Sequence, residues 1–169
     1  AKAGKRNKVM FRDRQEAGVQ LAEKLQEYED TNAIVLALPR GGVVVGHEVA
    51  RALHLPLDIV VTRKIGHPNN PEYAICAVDE TGALLCNESE RALVDKQWLA
   101  KETKRQQEEA MRRSVLYRGK KRPLQLKGKT AIIVDDGIAT GLTMRLAVYC
   151  VRTQKPEKII VAVPVAPAG

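Results

Sequence analysis

Short apolar runs alternate with amphipathic stretches along most of the chain. Continuous apolar runs predict buried strands at 33–38, 57–62, 129–135 and 158–166. Amphipathic segments predict helices at 14–29, 43–53 and 141–154. Alternating helices and continuously apolar strands are typical of a mostly parallel sheet that is covered on both faces. We therefore predict an α/β fold, a single doubly wound domain over residues 1–169 with a basic N-terminal tail at about 1–9.

The middle of the chain departs from this alternation. Residues 63–73, RKIGHPNNPEY, are polar and contain two prolines, which predicts a loop. Residues 74–79 and 83–87 predict a pair of strands joined by a short turn. From about Glu88 to Leu116 the pattern predicts one long, charged helix.

Polar loops follow three of the predicted strands, at 39–42, 63–73 and 135–143. In open α/β sheets, ligands bind outside the carboxyl ends of the strands. We therefore expect these loops to converge on one site, with 39–42 facing 135–143.

The third loop has the most informative chemistry, because two carboxylates precede a loop of small residues in AIIVDDGIATGLT (131–143). Gly137, Thr140, Gly141 and Thr143 lead into a helix, whose free N–H groups and dipole attract phosphate. No Walker loop is present, which argues against nucleoside-triphosphate hydrolysis. Asp135 and Asp136 would repel a phosphate, so they suit sugar hydroxyls or Mg²⁺. A ligand with a phosphate at one end and a diol beside it would satisfy both halves of the motif.

Composition and charge narrow the alternatives. Aromatic residues make up only 4% of the chain, which disfavours a base-stacking surface for single-stranded nucleic acid. No apolar run reaches the roughly 20 residues of a membrane span, so we expect no membrane partner. The net charge of +8 is concentrated before Arg14 and between Lys101 and Arg122, which suggests either solvated surfaces or a polyanionic partner.

The three cysteines, Cys76, Cys86 and Cys150, are odd in number and form no CxxC pair. We expect them to be reduced, in an intracellular setting. The predicted location is the cytoplasm, or an organelle matrix if the basic N-terminus is a processed targeting segment.

The segment IIVDDGIATGLT resembles the phosphoribosyl-pyrophosphate (PRPP) signature of the type I phosphoribosyltransferases. The stretches FRDRQEAGVQLAEKL, LPRGGVVVGHEVA, RKIGHPNNPEYAICAVDETG and VAVPVAP also resemble a stand-alone branch of this family whose acceptor is unassigned. The resemblance implies a transferase that moves the 5-phosphoribosyl group of Mg-PRPP to a nitrogen acceptor and releases pyrophosphate. Nucleotide metabolism is the implied setting, and a homodimer is left open.

The resemblance also implies a role for each position. Asp135 and Asp136 would hold the ribose hydroxyls, with a minor share in binding Mg²⁺, most of which PRPP itself carries. The 5′-phosphate would be wrapped by the loop residues Gly137, Ile138, Ala139, Thr140, Gly141, Leu142 and Thr143. The diphosphate would be bound by Arg40, Gly41 and Gly42, with Arg63, Lys64 and His67 in a cover above it. Arg40, Lys64 and the two aspartates would act in catalysis, and a cis peptide is expected at Pro39–Arg40.

Two departures from the family pattern bear on the acceptor. Relatives that act on 6-oxopurines carry an acid where this chain has Ala139, so a hypoxanthine or guanine acceptor is not expected. The sequence also stops soon after its last predicted strand, where relatives continue, so we expect a short or missing hood over the acceptor.

Three classes of function remain open at this point. The first is the PRPP-dependent transferase. The second is a regulator that binds PRPP or a nucleotide without turnover. The third is an interaction subunit that uses its basic clusters to bind RNA or to sit in a larger assembly.

Overall fold

The computed structural model describes residues 11–137 and 141–164. The predicted basic tail at 1–9, the residues after Pro164 and the loop residues Ile138–Thr140 lie outside the described part of the chain. In chain order the elements are α1 (Arg14–Lys24), a 3-10 turn (Gln26–Tyr28), β1 (Ile34–Ala37), α2 (Gly41–Leu53), β2 (Leu57–Ile59), β3 (Thr62–His67), β4 (Asn70–Asp79), β5 (Leu84–Cys86), α3 (Glu88–Arg91), α4 (Lys96–Arg118), β6 (Thr130–Val134), α5 (Leu142–Thr153) and β7 (Lys158–Ala162).

The four apolar strands form a parallel sheet in the order β2-β1-β6-β7. Alternate residues of its central strands face opposite sides. Val35, Ile132 and Val134 pack against α1 and α2, while Ile34 and Ile133 pack against α5. Both faces are therefore covered by helices, which confirms the predicted doubly wound architecture and explains why the central strands β1 and β6 are buried at every position.

Helix α1 lies directly against α2. Asp13 caps α1 by accepting a hydrogen bond from the Glu16 backbone N–H at 2.8 Å. A side chain at Gly18 would meet Glu48 Cβ at 2.6 Å and the Val45 carbonyl oxygen at 2.9 Å, so only glycine permits this approach. The middle of α1 is thereby packed closely against the middle of α2.

The prediction of a loop at 63–73 is wrong. These residues form most of β3 and the start of β4, which pair antiparallel and join β5 in a second sheet ordered β3-β4-β5. The polar composition concealed the strands because the end of this hairpin, including residues 70–73, is exposed, while Ile65 and Ile75 are fully buried further along it. The predicted pairing of the next two strands, β4 with β5, is confirmed.

The prediction of a single helix at 88–116 is also incorrect. The helix is broken into α3 and α4, because Asp95 caps a new helix by accepting a hydrogen bond from the Trp98 backbone N–H at 2.7 Å.

The prediction of reduced cysteines is wrong for two of the three. Cys76 and Cys86 face each other directly across β4 and β5, with Cα atoms 4.0 Å apart, and form a disulfide. Residues ten apart in sequence meet in this way because a hairpin brings its arms into register. Cys150 is free and half-buried, and burial raises the pKa of its thiol.

Helix α4 carries much of the second basic cluster, and part of that charge is paired. Arg105 pairs with Glu102, and both Arg112 and Arg113 pair with Glu109. Arg118 pairs with Asp58 of β2 at 3.0 Å and with Glu80 after β4 at 2.9 Å. The helix contains seven lysines and arginines against three glutamates, so it keeps an excess of positive charge. Of the helices described, none is both long and apolar enough to cross a lipid bilayer.

Candidate functional site

The candidate site lies where the strand order of the parallel sheet reverses. From β1 the chain crosses to β2 on one side, and from β6 it crosses to β7 on the other. Such a switch point leaves a crevice outside the carboxyl ends of the two central strands. The loops after β1 and β6 start side by side there, and the Leu38 backbone N–H donates to the Val134 carbonyl oxygen at 2.9 Å.

The loop at 39–42 makes close contact with the acidic residues, as expected. The Pro39–Arg40 peptide is cis, which confirms that prediction, and the Arg40 side chain is exposed. A side chain at Gly41 would collide with the Asp136 carboxylate, and one at Gly42 would lie 3.0 Å from Asp135 Cα. Glycine is required at both positions because the acidic loop occupies the space of a Cβ.

The two aspartates are neighbours in sequence but differ in environment. Asp135 is half-buried, and its Oδ1 accepts a hydrogen bond from the Asp136 backbone N–H at 2.8 Å. Burial, with a contribution from the Asp136 charge, raises the pKa of Asp135 to about 6. Asp136 instead has a cationic partner, so the pair combines one salt-bridged carboxylate and one that burial makes easier to protonate.

The partner of Asp136 is Arg14, a residue that sequence reasoning did not assign to the site. Its Nε lies 3.0 Å and its Nη2 2.9 Å from Asp136 Oδ2, across 122 positions of sequence. No local sequence pattern predicts this contact, because Arg14 resembles the other basic residues near the start of the chain.

The structure separates the two predicted cations of β3. Lys64 lies opposite Ala77, which packs against Leu142 of α5, so Lys64 is on the sheet face towards the acidic loop and α5. Its Nζ is 3.6 Å from Glu72 Oε2, and the side chain is about half exposed. Arg63 points to the opposite face, where its Nε donates to Gln106 Oε1 of α4 at 3.0 Å. Of the two cations, the structure therefore places Lys64, and not Arg63, on the face of the sheet where the candidate site lies.

His67 is the last residue of β3, and its Nδ1 accepts a hydrogen bond from the Asn69 backbone N–H at 3.1 Å within the turn.

The described ends of the third loop match an anion-binding turn. Gly137 follows the acidic pair, and Gly141 adopts a left-handed conformation, with φ 79°, before α5 begins at Leu142. Thr143 lies in the first turn of this 12-residue helix, where backbone N–H groups point out of the helix end.

A cavity of about 560 Å³ opens beside Asp136. It lies between the start of α1, the first turns of α2 and the end of β7, and its lining includes Phe11, Arg14, Val44, Val45, Asp136 and Pro164. A planar apolar group with a polar edge would fit this mixture of walls.

In the part of the chain that the structure describes, two groups of residues could hold a metal ion. Asp135 and Asp136 offer oxygen ligands of the kind that Mg²⁺ prefers. Glu29, Asp30 and His54 also bring ligand atoms within 4.8 Å of one another. That cluster precedes β1 and follows α2, so it lies towards the amino ends of the strands, at the edge opposite the acidic loop.

Comparison with known proteins gives a consistent picture. Residues 14–169 match the family model of the phosphoribosyl transferase domain. A curated protein of Mycobacterium tuberculosis (strain CDC 1551 / Oshkosh), named "Putative phosphoribosyl transferase MT0597", is 39% identical over 160 residues. The match covers 94% of this chain but only 36% of that protein, so the chain spans about a third of its relative's length.

Among solved structures, TT1426 from Thermus thermophilus is 43% identical, with a TM-score of 0.77 over 94% of this chain and 76% of that one. Purine phosphoribosyltransferase from Pyrococcus horikoshii Ot3 is 18% identical, with a TM-score of 0.53 over 92% of this chain and 74% of its own. The second likeness concerns the fold alone.

Proposed function

The chain belongs to the phosphoribosyl transferase family, and from this premise we propose that it transfers the 5-phosphoribosyl group of PRPP to a nitrogen acceptor and releases pyrophosphate. The observation that carries the proposal is the contact of Gly41 and Gly42 with Asp136 and Asp135 at the switch point. This contact puts a backbone suited to a diphosphate beside carboxylates suited to a diol.

The sugar of PRPP is assigned to the acidic pair. Carboxylates accept hydrogen bonds from hydroxyl groups, and both side chains are half-buried in the crevice. The residues after them receive the 5′-phosphate. Gly137, Gly141, Leu142 and Thr143 surround the N-terminus of α5, and Ile138, Ala139 and Thr140 complete this loop in sequence.

The diphosphate is assigned to the other side of the crevice. Arg40 is exposed beside Gly41 and Gly42, and a guanidinium can bind two phosphate oxygens at once. Lys64 supplies a second positive charge from β3. Negative charge accumulates on pyrophosphate as its bond to C1′ breaks, so these cations stabilise the leaving group most strongly in the transition state. Arg63 is not included, because its guanidinium is engaged by α4.

Mg²⁺ fits this arrangement. Asp135 and Asp136 provide hard oxygen donors directly beside the glycine loop, to which the diphosphate that carries the ion is assigned. When bound with PRPP, the ion would neutralise part of the diphosphate charge. The 560 Å³ cavity beside Asp136 is the space that we assign to the acceptor.

The proposal is tested by calorimetric titration with Mg-PRPP and by a screen of nitrogen heterocycles for pyrophosphate release. Asp135→Ala with Asp136→Ala should weaken Mg-PRPP binding by about tenfold or more for each lost hydrogen bond. The matched control is Glu29→Ala with Asp30→Ala, an adjacent acidic pair at the opposite edge, which should bind like the parent. Equal affinity of the two double variants would refute the assignment. Binding without release of pyrophosphate from any acceptor would favour a regulator.

A further inference from the structure

The contact between Arg14 and Asp136 uses only one carboxylate oxygen. Arg14 Nε and Nη2 both reach Oδ2, at 3.0 and 2.9 Å. Among the described residues, Arg14 is the one cationic side chain that pairs with Asp136, and both of its contacts go to Oδ2 rather than to Oδ1. The carboxylate is thus oriented by a guanidinium on one of its two oxygens.

The surroundings restrict both partners. Arg14 is the first residue of α1, and the close approach at Gly18 fixes α1 against α2. Helix α2 begins at Gly41, whose missing side chain makes room for the Asp136 carboxylate. Asp136 is therefore placed between the guanidinium of α1 and the glycine loop of α2.

The pair contributes little to folding. The Arg14 side chain is 59% exposed and that of Asp136 is 35% exposed. Water screens ion pairs of this kind, so they add little to the free energy of unfolding. A precise contact across 122 positions with little effect on stability requires another explanation.

We propose that Arg14 is a positioning residue that keeps the Asp136 carboxylate in one orientation, with Oδ1 left to accept a hydrogen bond from a ribose hydroxyl of PRPP. This inference rests on the proposed function. A prepositioned carboxylate does not have to be ordered when the sugar binds, so its hydrogen bond adds more to affinity. Asp135 has no arginine partner within the described residues and relies on the Asp136 backbone N–H for its orientation.

The test compares Arg14→Met with Arg12→Met. Arg12 lies two positions earlier and pairs with Glu16 on the surface, with its side chain 87% exposed, so Arg12→Met removes an arginine of the same segment without touching the site. Arg14→Met should weaken Mg-PRPP binding by about tenfold, the lower end for loss of a hydrogen bond to a charged group, while Arg12→Met should not change it. Arg14→Lys should restore part of the loss.

Two further measurements separate positioning from a general structural effect. Affinity for Mg-pyrophosphate, which has no ribose, should be the same in Arg14→Met and the parent. In an Asp136→Asn background, Arg14→Met should cause no additional loss, because the residue acts through that carboxylate.

Each other outcome has a definite meaning. If Arg14→Met and Arg12→Met bind Mg-PRPP equally well, the inference is refuted. Tighter binding by Arg14→Met would also refute it, because the arginine would then compete with the sugar for Asp136. If the parent itself fails to bind Mg-PRPP, the proposed function fails first.

Discussion

Arg118 connects the two sheets, and replacing it with methionine tests the strength of that connection. Its guanidinium pairs with Asp58 of β2 and with Glu80 after β4, and it also donates to Ser114 Oγ and the Ile59 carbonyl oxygen. The side chains of Arg118 and Asp58 are 13% and 10% exposed, and that of Glu80 is 25% exposed. Methionine keeps much of the side-chain length but leaves two carboxylates without their cation.

The expected loss of unfolding free energy in Arg118→Met is large for a single substitution. Removing one partner of a buried pair costs about 3–5 kcal/mol, and the partial exposure of Glu80 favours the value of about 3 kcal/mol. In a chain of this size, each kcal/mol lowers the melting temperature by about 2–4 °C, so we expect a fall of about 6–12 °C.

Urea and thermal unfolding followed by circular dichroism provide the assay. Arg112→Met is the matched control, because Arg112 lies on the same helix and pairs with Glu109 at the surface, where water screens the pair and its loss should change the stability little. Adding Asp58→Asn and Glu80→Gln to Arg118→Met should recover part of the stability. A loss in Arg118→Met no greater than that in Arg112→Met would refute the reasoning.

Two further predictions follow from the second sheet. Lys64→Ala should weaken Mg-pyrophosphate binding in a titration, whereas Arg63→Ala should lower the urea midpoint and leave that affinity unchanged; the reverse pattern would contradict the assignment of the two cations. A thiol titration of the unfolded, unreduced protein should detect one thiol, that of Cys150, and the native protein should show none at pH 8, because burial raises the pKa of that thiol. After reduction, the unfolded protein should show three thiols. Three thiols without reductant would exclude the disulfide.

Features with local signals were predicted correctly from the sequence. The strands containing Ile34 and Ile132 are buried at every position and, apart from Thr130, apolar, because both faces of a parallel sheet are covered. The acidic pair and the glycine loop were also recognisable, since close approach of a backbone requires glycine at Gly41 and Gly42. The switch point between β1 and β6 then brings the two loops together without any further information.

Features that depend on distant contacts could not be predicted in this way. The contact of Arg14 with Asp136 depends on how α1 packs on α2, which no window of sequence contains. The strand at 62–67 and the start of β4 at 70–73 were missed because residues 70–73 are exposed and mostly polar and because the turn contains Pro68 and Asn69. The disulfide between Cys76 and Cys86 depends on the register of β4 on β5.

The register of β3 on β4 also decides which cation can serve the site. Side chains alternate between the faces of a strand, so a slip of one residue would turn Arg63 towards α5 and Lys64 towards α4. Two contacts oppose that slip. Ile65 is fully buried, and a side chain at Gly66 would collide with the Pro71 backbone, so only the observed register places glycine at that approach. The choice of Lys64 over Arg63 is therefore made by packing against α4 and by the turn, not by any contact within the crevice itself.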